Sequence, residues 1–214
     1  MGILGGTGPA GRGMAARLAA AGATVTLGSR EEERATAVAA KVVAGWAGRH
    51  LEIAGADNPG AAGAEVVVVA TPWDGAVATV TPLREILAGK VVISMANALV
   101  KEGREMLALI PPRGSVAAAV QAALPDSLVS AAFHHLPAAE MEDLDSGLEA
   151  DVLVCSDHRH ATDVTTALVE SMAGLRPLDA GSLNQAAAIE AFTAVCITLN
   201  IRYKAHSTLR MLGM

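Results

Sequence analysis

A chain of 214 residues with a formal net charge of −6 has room for one dinucleotide-sized domain and a smaller appendage, and its acidity argues against a nucleic-acid partner. Its 52% hydrophobic content is carried mostly by Ala, Val and Leu with only 2% aromatics, which favours small-residue packing of helices on a sheet over an aromatic surface for stacking bases. With no apolar run near the ~20 residues of a membrane span and no signal segment, a soluble cytoplasmic protein without a membrane partner is expected, and Cys155 and Cys196, far apart and outside any CxxC, read as buried free thiols.

The chain opens on Ile3-Leu4, a strand that is very short because the first glycine of a turn arrives by residue 5. Gly6-x-Gly8-x-x-Gly11 follows, with glycines where a tight turn, close approach to a pyrophosphate and packing of a helix on a sheet leave no space for side chains. Pro9 suits a first helical turn. Met14, Leu18 and the alanines around them give that helix an apolar face over the sheet, so its N-terminus points at an anionic ligand. A second strand over 23–27 comes at the spacing of a dinucleotide-binding unit. At its end, where an NAD-binding chain carries Asp or Glu for the ribose 2′-hydroxyl, Gly28-Ser29-Arg30 stands instead, with Arg34 one helical turn further. A hydroxyl and a permanently charged fork suit a phosphate monoester that a carboxylate would repel, so NADP(H) is the expected ligand. The competing account is a solvated helix start in which Arg30 and Arg34 pair with Glu31 to Glu33.

A polar-faced helix is expected over 31–47, a short strand at 51–53, and a strand buried on both faces in the β-branched run 65–70. That run ends in Thr71-Pro72-Trp73-Asp74, beyond the carboxyl end of a strand, where open α/β sheets bind ligands. Trp73 fits either a nicotinamide or the core. Residues 90–94 read as the next strand, ending in Ser94-Met95-Ala96-Asn97, and 127–132 as another, ending in Phe133-His134-His135-Leu136-Pro137-Ala138, so three strand ends converge on one crevice. Six acids and no Lys or Arg between Glu140 and Asp151 suggest a solvated connection. A strand over 151–155, an amphipathic helix over 161–173, a strand over 175–179 and a long helix from Ser182 complete the pattern. Asp157-His158-Arg159-His160 lacks the i, i+4 facing pair of a zinc helix, and Arg159 opposes a cation, so no metal is assigned. The fold class is α/β: a Rossmann-type doubly wound parallel sheet over 1–138, with a smaller C-terminal α/β domain over 139–214.

Five segments, Gly5-Gly-Thr-Gly-Pro-Ala-Gly11, Gly28-Ser-Arg30, Thr71-Pro-Trp73, Phe133-His-x-Leu-Pro-Ala-Ala139 and Gly174-Leu-Arg-Pro-Leu-Asp-Ala-Gly181, span essentially the whole chain. In this order they resemble the coenzyme F420-dependent NADP reductases, or F420H2:NADP oxidoreductases. The resemblance implies NADP(H) in the Rossmann domain, a small C-terminal domain that closes the cleft, a homodimer, and hydride transfer between nicotinamide C4 and C5 of the 8-hydroxy-5-deazaflavin coenzyme F420. It puts NADP contacts on Thr7, the backbone after Gly8, Ser29, Arg30, Arg34 and the Pro72-Trp73 turn, and the deazaflavin against Ser94 to Asn97 and His134 to Pro137. The chain departs from the family in its short N-terminus and in Ser94-Met-Ala-Asn-Ala-Leu99, where many relatives have Asn-Pro-Leu. Hydride transfer between stacked rings needs placement in a dry pocket and no acid–base pair. His134 is then expected to touch the ring system as a donor, against the alternative of a packed histidine fixing its own loop. Arg202, Lys204 and Arg210 could attract the deazaflavin's anionic tail, form a dimer contact or complement a helix end. An NADP-dependent reductase of another acceptor, an imine or a metal chelate, and a non-catalytic NADP(H) sensor are the competing functions, and fold alone does not choose among them.

Overall fold

The computed structural model describes residues 1–213. β1 is only Gly2–Leu4, but all three residues are buried, and the turn after it runs directly into α1 (Pro9–Ala20), where Met14, Ala15 and Leu18 lie on the sheet. The next half-unit is β2 (Val25–Ser29), α2 (Glu32–Gly45) and β3 (Ile53–Asp57). Then follow α3 (Asn58–Ala62), β4 (Val66–Val69), two short helices, α4 (Ala76–Val80) and α5 (Arg84–Leu87), and β5 (Val91–Ser94). A hairpin, β6 (Leu99–Glu102) with β7 (Glu105–Ala108), leads to α6 (Val116–Ala123) and β8 (Leu128–Ala131). The last third holds α7 (Ala138–Glu142), β9 (Ala150–Ser156), α8 (Arg159–Glu170), β10 (Leu175–Asp179) and α9 (Ala186–Tyr203).

Eight strands form one sheet in the order β10-β9-β8-β5-β4-β1-β2-β3. The six from β3 to β8 are parallel, and the chain reverses direction in the sheet between β1 and β4, the switch point where such sheets open a crevice. Strand alternation separates two cores. Ile3, Leu27, Val68 and Ile93 face the α1 side, while Leu4, Val67, Val69 and Val92 pack with Val80, Leu87 and Val120 on the other. Burial on both faces is why these strands read as unbroken β-branched runs.

Residues beyond 138 add to this sheet: β9 pairs antiparallel with β8 through Ser130↔Ser156 and Ala131↔Cys155, and β10 pairs parallel with β9. The connection over 140–151 is not a solvated linker. Met141, Leu144 and Leu148 are buried, and the cation its sequence lacks comes from α1. The Arg17 guanidinium donates to the carbonyls of Met141 (3.2 Å), Glu140 (2.7 Å) and Asp143 (2.6 Å) and to Ser146 Oγ (2.8 Å). β3 begins at Ile53, where the sequence pattern places the strand over 51–53, and its middle passes close to α2: a Cβ on Gly55 would lie 2.1 Å from Thr36 N. One helical stretch, Leu183–Tyr203, is 21 residues long and contains an 18-residue window with a mean hydropathy of 1.2, so by length and composition an apolar segment of spanning length does exist, contrary to expectation. Its apolar character serves the fold in part, through buried Ala186, Ile189 and Ala194.

Candidate functional site

The carboxyl ends of β1, β2, β4 and β5 surround a cleft of about 1090 Å³. Thr7, Gly8 and Pro9 form one wall at the start of α1. Ser29, Arg30 and Arg34 form a second, Thr71, Pro72 and Trp73 a third, and Met95, Ala96 and Asn97 a fourth. Twelve residues expected from sequence to bind the coenzymes are therefore gathered in one space.

The turn glycines divide by job. A Cβ on Gly5, whose φ is +64°, would lie 2.4 Å from Thr71 Cγ2, and one on Gly6 would lie 2.5 Å from Leu27 Cδ2. Gly11 holds α1 against the turn, since its Cβ would fall 2.5 Å from Gly6 Cα. Gly8 alone among these has nothing within 4 Å, so it leaves free space on the cleft side at the N-terminus of a 12-residue helix. There the first N–H groups and the helix dipole favour an anion.

Arg30 and Arg34 are exposed and enter no ion pair with any other described residue, so Glu31 to Glu33 do not neutralise them. Ser29 is buried, and its Oγ accepts from Glu31 N at 3.4 Å, which leaves the hydroxyl proton available. Two unpaired guanidinium groups and a hydroxyl on one wall suit a dianionic group. Trp73 lines the cleft and packs partly against the core beneath it.

Six expected site residues lie off the cleft walls. Gly6, Gly11 and Ser94 stand behind them, and His134, Leu136 and Pro137 sit on the loop after β8. The His134 ring is buried beside Phe133, His135 and Val152 around a small enclosed void, so it does not face the cleft. Burial, helped by the neighbouring His135 charge, pushes its pKa down to about 3. It is also no anchor for its loop through its ring. Among the described residues, the buried side-chain polar atoms without a hydrogen-bond partner are both His134 ring nitrogens, Thr71 Oγ1 and Ser94 Oγ, all at the ends of β4, β5 and β8. The loop is held instead by the His134 backbone and the His135 ring: Asn97 Nδ2 donates to the His134 carbonyl at 3.3 Å, and His135 Nε2 meets Ile189 O on α9 at 2.9 Å. Phe133 before it is a buried aromatic residue at φ +67°, a conformation that persists only where neighbours over-determine it.

Sequence reasoning missed Asp57 and Asn58, which line the cleft beside Ser29. The signal was Asp57-Asn58-Pro59, a helix start placed at a strand end, and it was obscured because the preceding strand was read too early. Two of the three C-terminal cations are also accounted for. Arg202 pairs with Glu105, and Arg210 with Glu149 and Asp151, so both are engaged by acids of this chain.

A family described as coenzyme F420-dependent NADP oxidoreductases matches residues 1–98. An F420-dependent NADP reductase of Methanocaldococcus jannaschii is 38% identical over 211 residues, covering 96% of this chain and 94% of its own. That of Methanothermobacter marburgensis is 36% identical, covering 94% and 92%. A crystal structure from Arthrobacter sp. FB24, proposed to be an F420-dependent NADP reductase, superposes with a TM-score of 0.80 at 27% identity over 99% of this chain and 98% of that one. Identity of 36–38% sustained along nearly the full length of both chains leaves one conclusion: the chain belongs to the family of F420-dependent NADP reductases.

Proposed function

We propose that this protein carries a hydride directly between C4 of the NADP(H) nicotinamide and C5 of the F420 deazaflavin, as a cytoplasmic homodimer. The observation that carries the reading is the wall of Ser29, Arg30 and Arg34, unneutralised and on the same cleft as the open Gly8 turn. The two coenzymes supply the redox chemistry. The chain's own residues bind, orient and exclude water. Gly8 and the N-terminus of α1 take the pyrophosphate, and the arginine wall takes the 2′-phosphate. Pro72, Trp73 and the turn Met95–Asn97 then flank the nicotinamide end, where the second ring must stack. Buried unpartnered Thr71 Oγ1 and Ser94 Oγ lie at the strand ends below this end of the cleft, which fits a site built to meet a polar ring edge or its ordered water. His134 acts in this reading through its loop, with residues 139–214 closing the cleft.

Support for the homodimer comes from α9, where Phe192, Val195 and Leu199, at i, i+3 and i+7, are each more than 40% exposed along one face. The decisive experiment supplies NADPH deuterated at C4, each epimer in turn, with F420 in ordinary water. One epimer should deposit deuterium at deazaflavin C5, whose C–H bond does not exchange with solvent. Solvent hydrogen at C5 with both epimers would exclude direct transfer, and tight NADPH binding without F420 reduction would move the function to another acceptor.

A further inference from the structure

Asn58 is the first residue of α3 and follows directly on β3. The register of β2 with β3 pairs Ser29 with Asp57, so Asn58 stands level with Arg30 at the top of the neighbouring strand. Its side chain crosses over β2 to reach the dinucleotide turn, where Oδ1 accepts from Gly5 N at 3.3 Å. Gly28 makes the crossing possible: a Cβ there would lie 2.8 Å from Asn58 Oδ1. The same Cβ would lie 2.8 Å from Ala61 Cβ and 3.1 Å from Ile3 O, so the glycine ahead of Ser29-Arg30 leaves room for α3 and β1 as well as for the amide that passes over it.

This bond also fixes which end of the amide is which. A backbone N–H can only donate, so the oxygen must face Gly5 and the NH2 must face away from it. Nδ2 makes no hydrogen bond to another described residue, and Asn58 lines the cleft together with Ser29, Arg30 and Arg34. The adjacent acid is otherwise engaged, since Asp57 Oδ1 accepts from Gly60 N at 2.7 Å.

We infer that Asn58 is a specificity-determining residue: its NH2 donates to the 2′-phosphate of the adenosine ribose while its oxygen holds the glycine turn in register. The inference rests on the NADP(H) reading above. It also explains the residue type. Asp could keep the tie to Gly5, but it would lose the donor and set a negative charge beside the phosphate; Ala would lose both halves.

The test uses calorimetric binding of adenosine 2′,5′-bisphosphate and adenosine 5′-monophosphate to wild type, N58D and N58A. The expected outcome is a crossover. N58D, which keeps the turn tied, binds the monophosphate more tightly than N58A does, yet binds the bisphosphate more weakly than N58A. The preference for the 2′-phosphate should fall about tenfold in N58D, the size of one hydrogen bond to a charged group. Wild type that prefers the bisphosphate, with N58D equal to or better than N58A on both ligands, overturns the inference and leaves the NADP(H) reading intact. Wild type without a 2′-phosphate preference overturns both.

Discussion

Gly8→Ala and Gly11→Ala place the same methyl group three residues apart, and the structure predicts opposite consequences. Gly8 has φ −77° and ψ 170°, which alanine adopts without strain, and a Cβ there meets no protein atom within 4 Å. Replacing glycine also narrows the unfolded ensemble, worth about 0.4–1 kcal/mol, against a similar loss because alanine is a poorer helix N-cap. The stability of ligand-free G8A should therefore stay within about 1 kcal/mol of wild type. The methyl instead fills the space through which a pyrophosphate approaches the backbone, so NADPH affinity should fall at least tenfold, or about 1.4 kcal/mol. In Gly11→Ala the methyl falls 2.5 Å from both Gly6 Cα and Gly6 O, which are backbone atoms with no rotamer to yield. Moving the turn off α1 should cost about 1–3 kcal/mol of folding stability, the usual range for overpacking, and weaken NADPH as well. Urea denaturation without ligand gives the first quantity and fluorescence titration with NADPH the second. Wild-type affinity in G8A, or wild-type stability in G11A, would refute the division of labour assigned to the turn.

Arg30→Ala removes a cation with no ion-pair partner among the described residues, so folding stability should hold while NADPH affinity drops by about 1.5–3 kcal/mol and NADH affinity changes little; equal weakening of both nucleotides in paired titrations would disprove the 2′-phosphate assignment. His134 gives a pH prediction. Its pKa in the fold is about 3 against 6.5 when free, so the unfolded chain takes up the proton first and stability declines as pH falls below about 6.5. The slope from this residue is at most about 1.4 kcal/mol per pH unit. His135 is shifted the same way by burial, so the diagnostic is the difference between wild type and His134→Gln in urea denaturation from pH 7.5 to 4.5. Parallel pH curves would show that the ring takes up its proton without loss of the fold.

What could be read in advance follows physical rules of differing reach. The glycine turn and Ser29-Arg30 were legible because local geometry and charge act over a few residues, and the central strands because burial on both faces writes itself as Val66-Val-Val-Val69. β3 was misplaced, and its Gly55 approaches α2, a contact with a helix that ends eight residues before the strand begins. Arg17 belongs to a helix whose local pattern shows only a cation near the C-terminus, yet its four acceptors lie more than 120 residues away. His134 shows the reverse case. Its neighbours in sequence match a coenzyme-contact motif, but the packing of Phe133 and α9 turns the ring into the interior. Asn58 combines both difficulties, because its meaning depends on Gly5 at one end and on Gly28 beneath it. Each of those glycines looks like ordinary turn punctuation in the sequence. Together they define a path for one amide, and a residue of no obvious chemistry becomes the link between the two halves of the dinucleotide site.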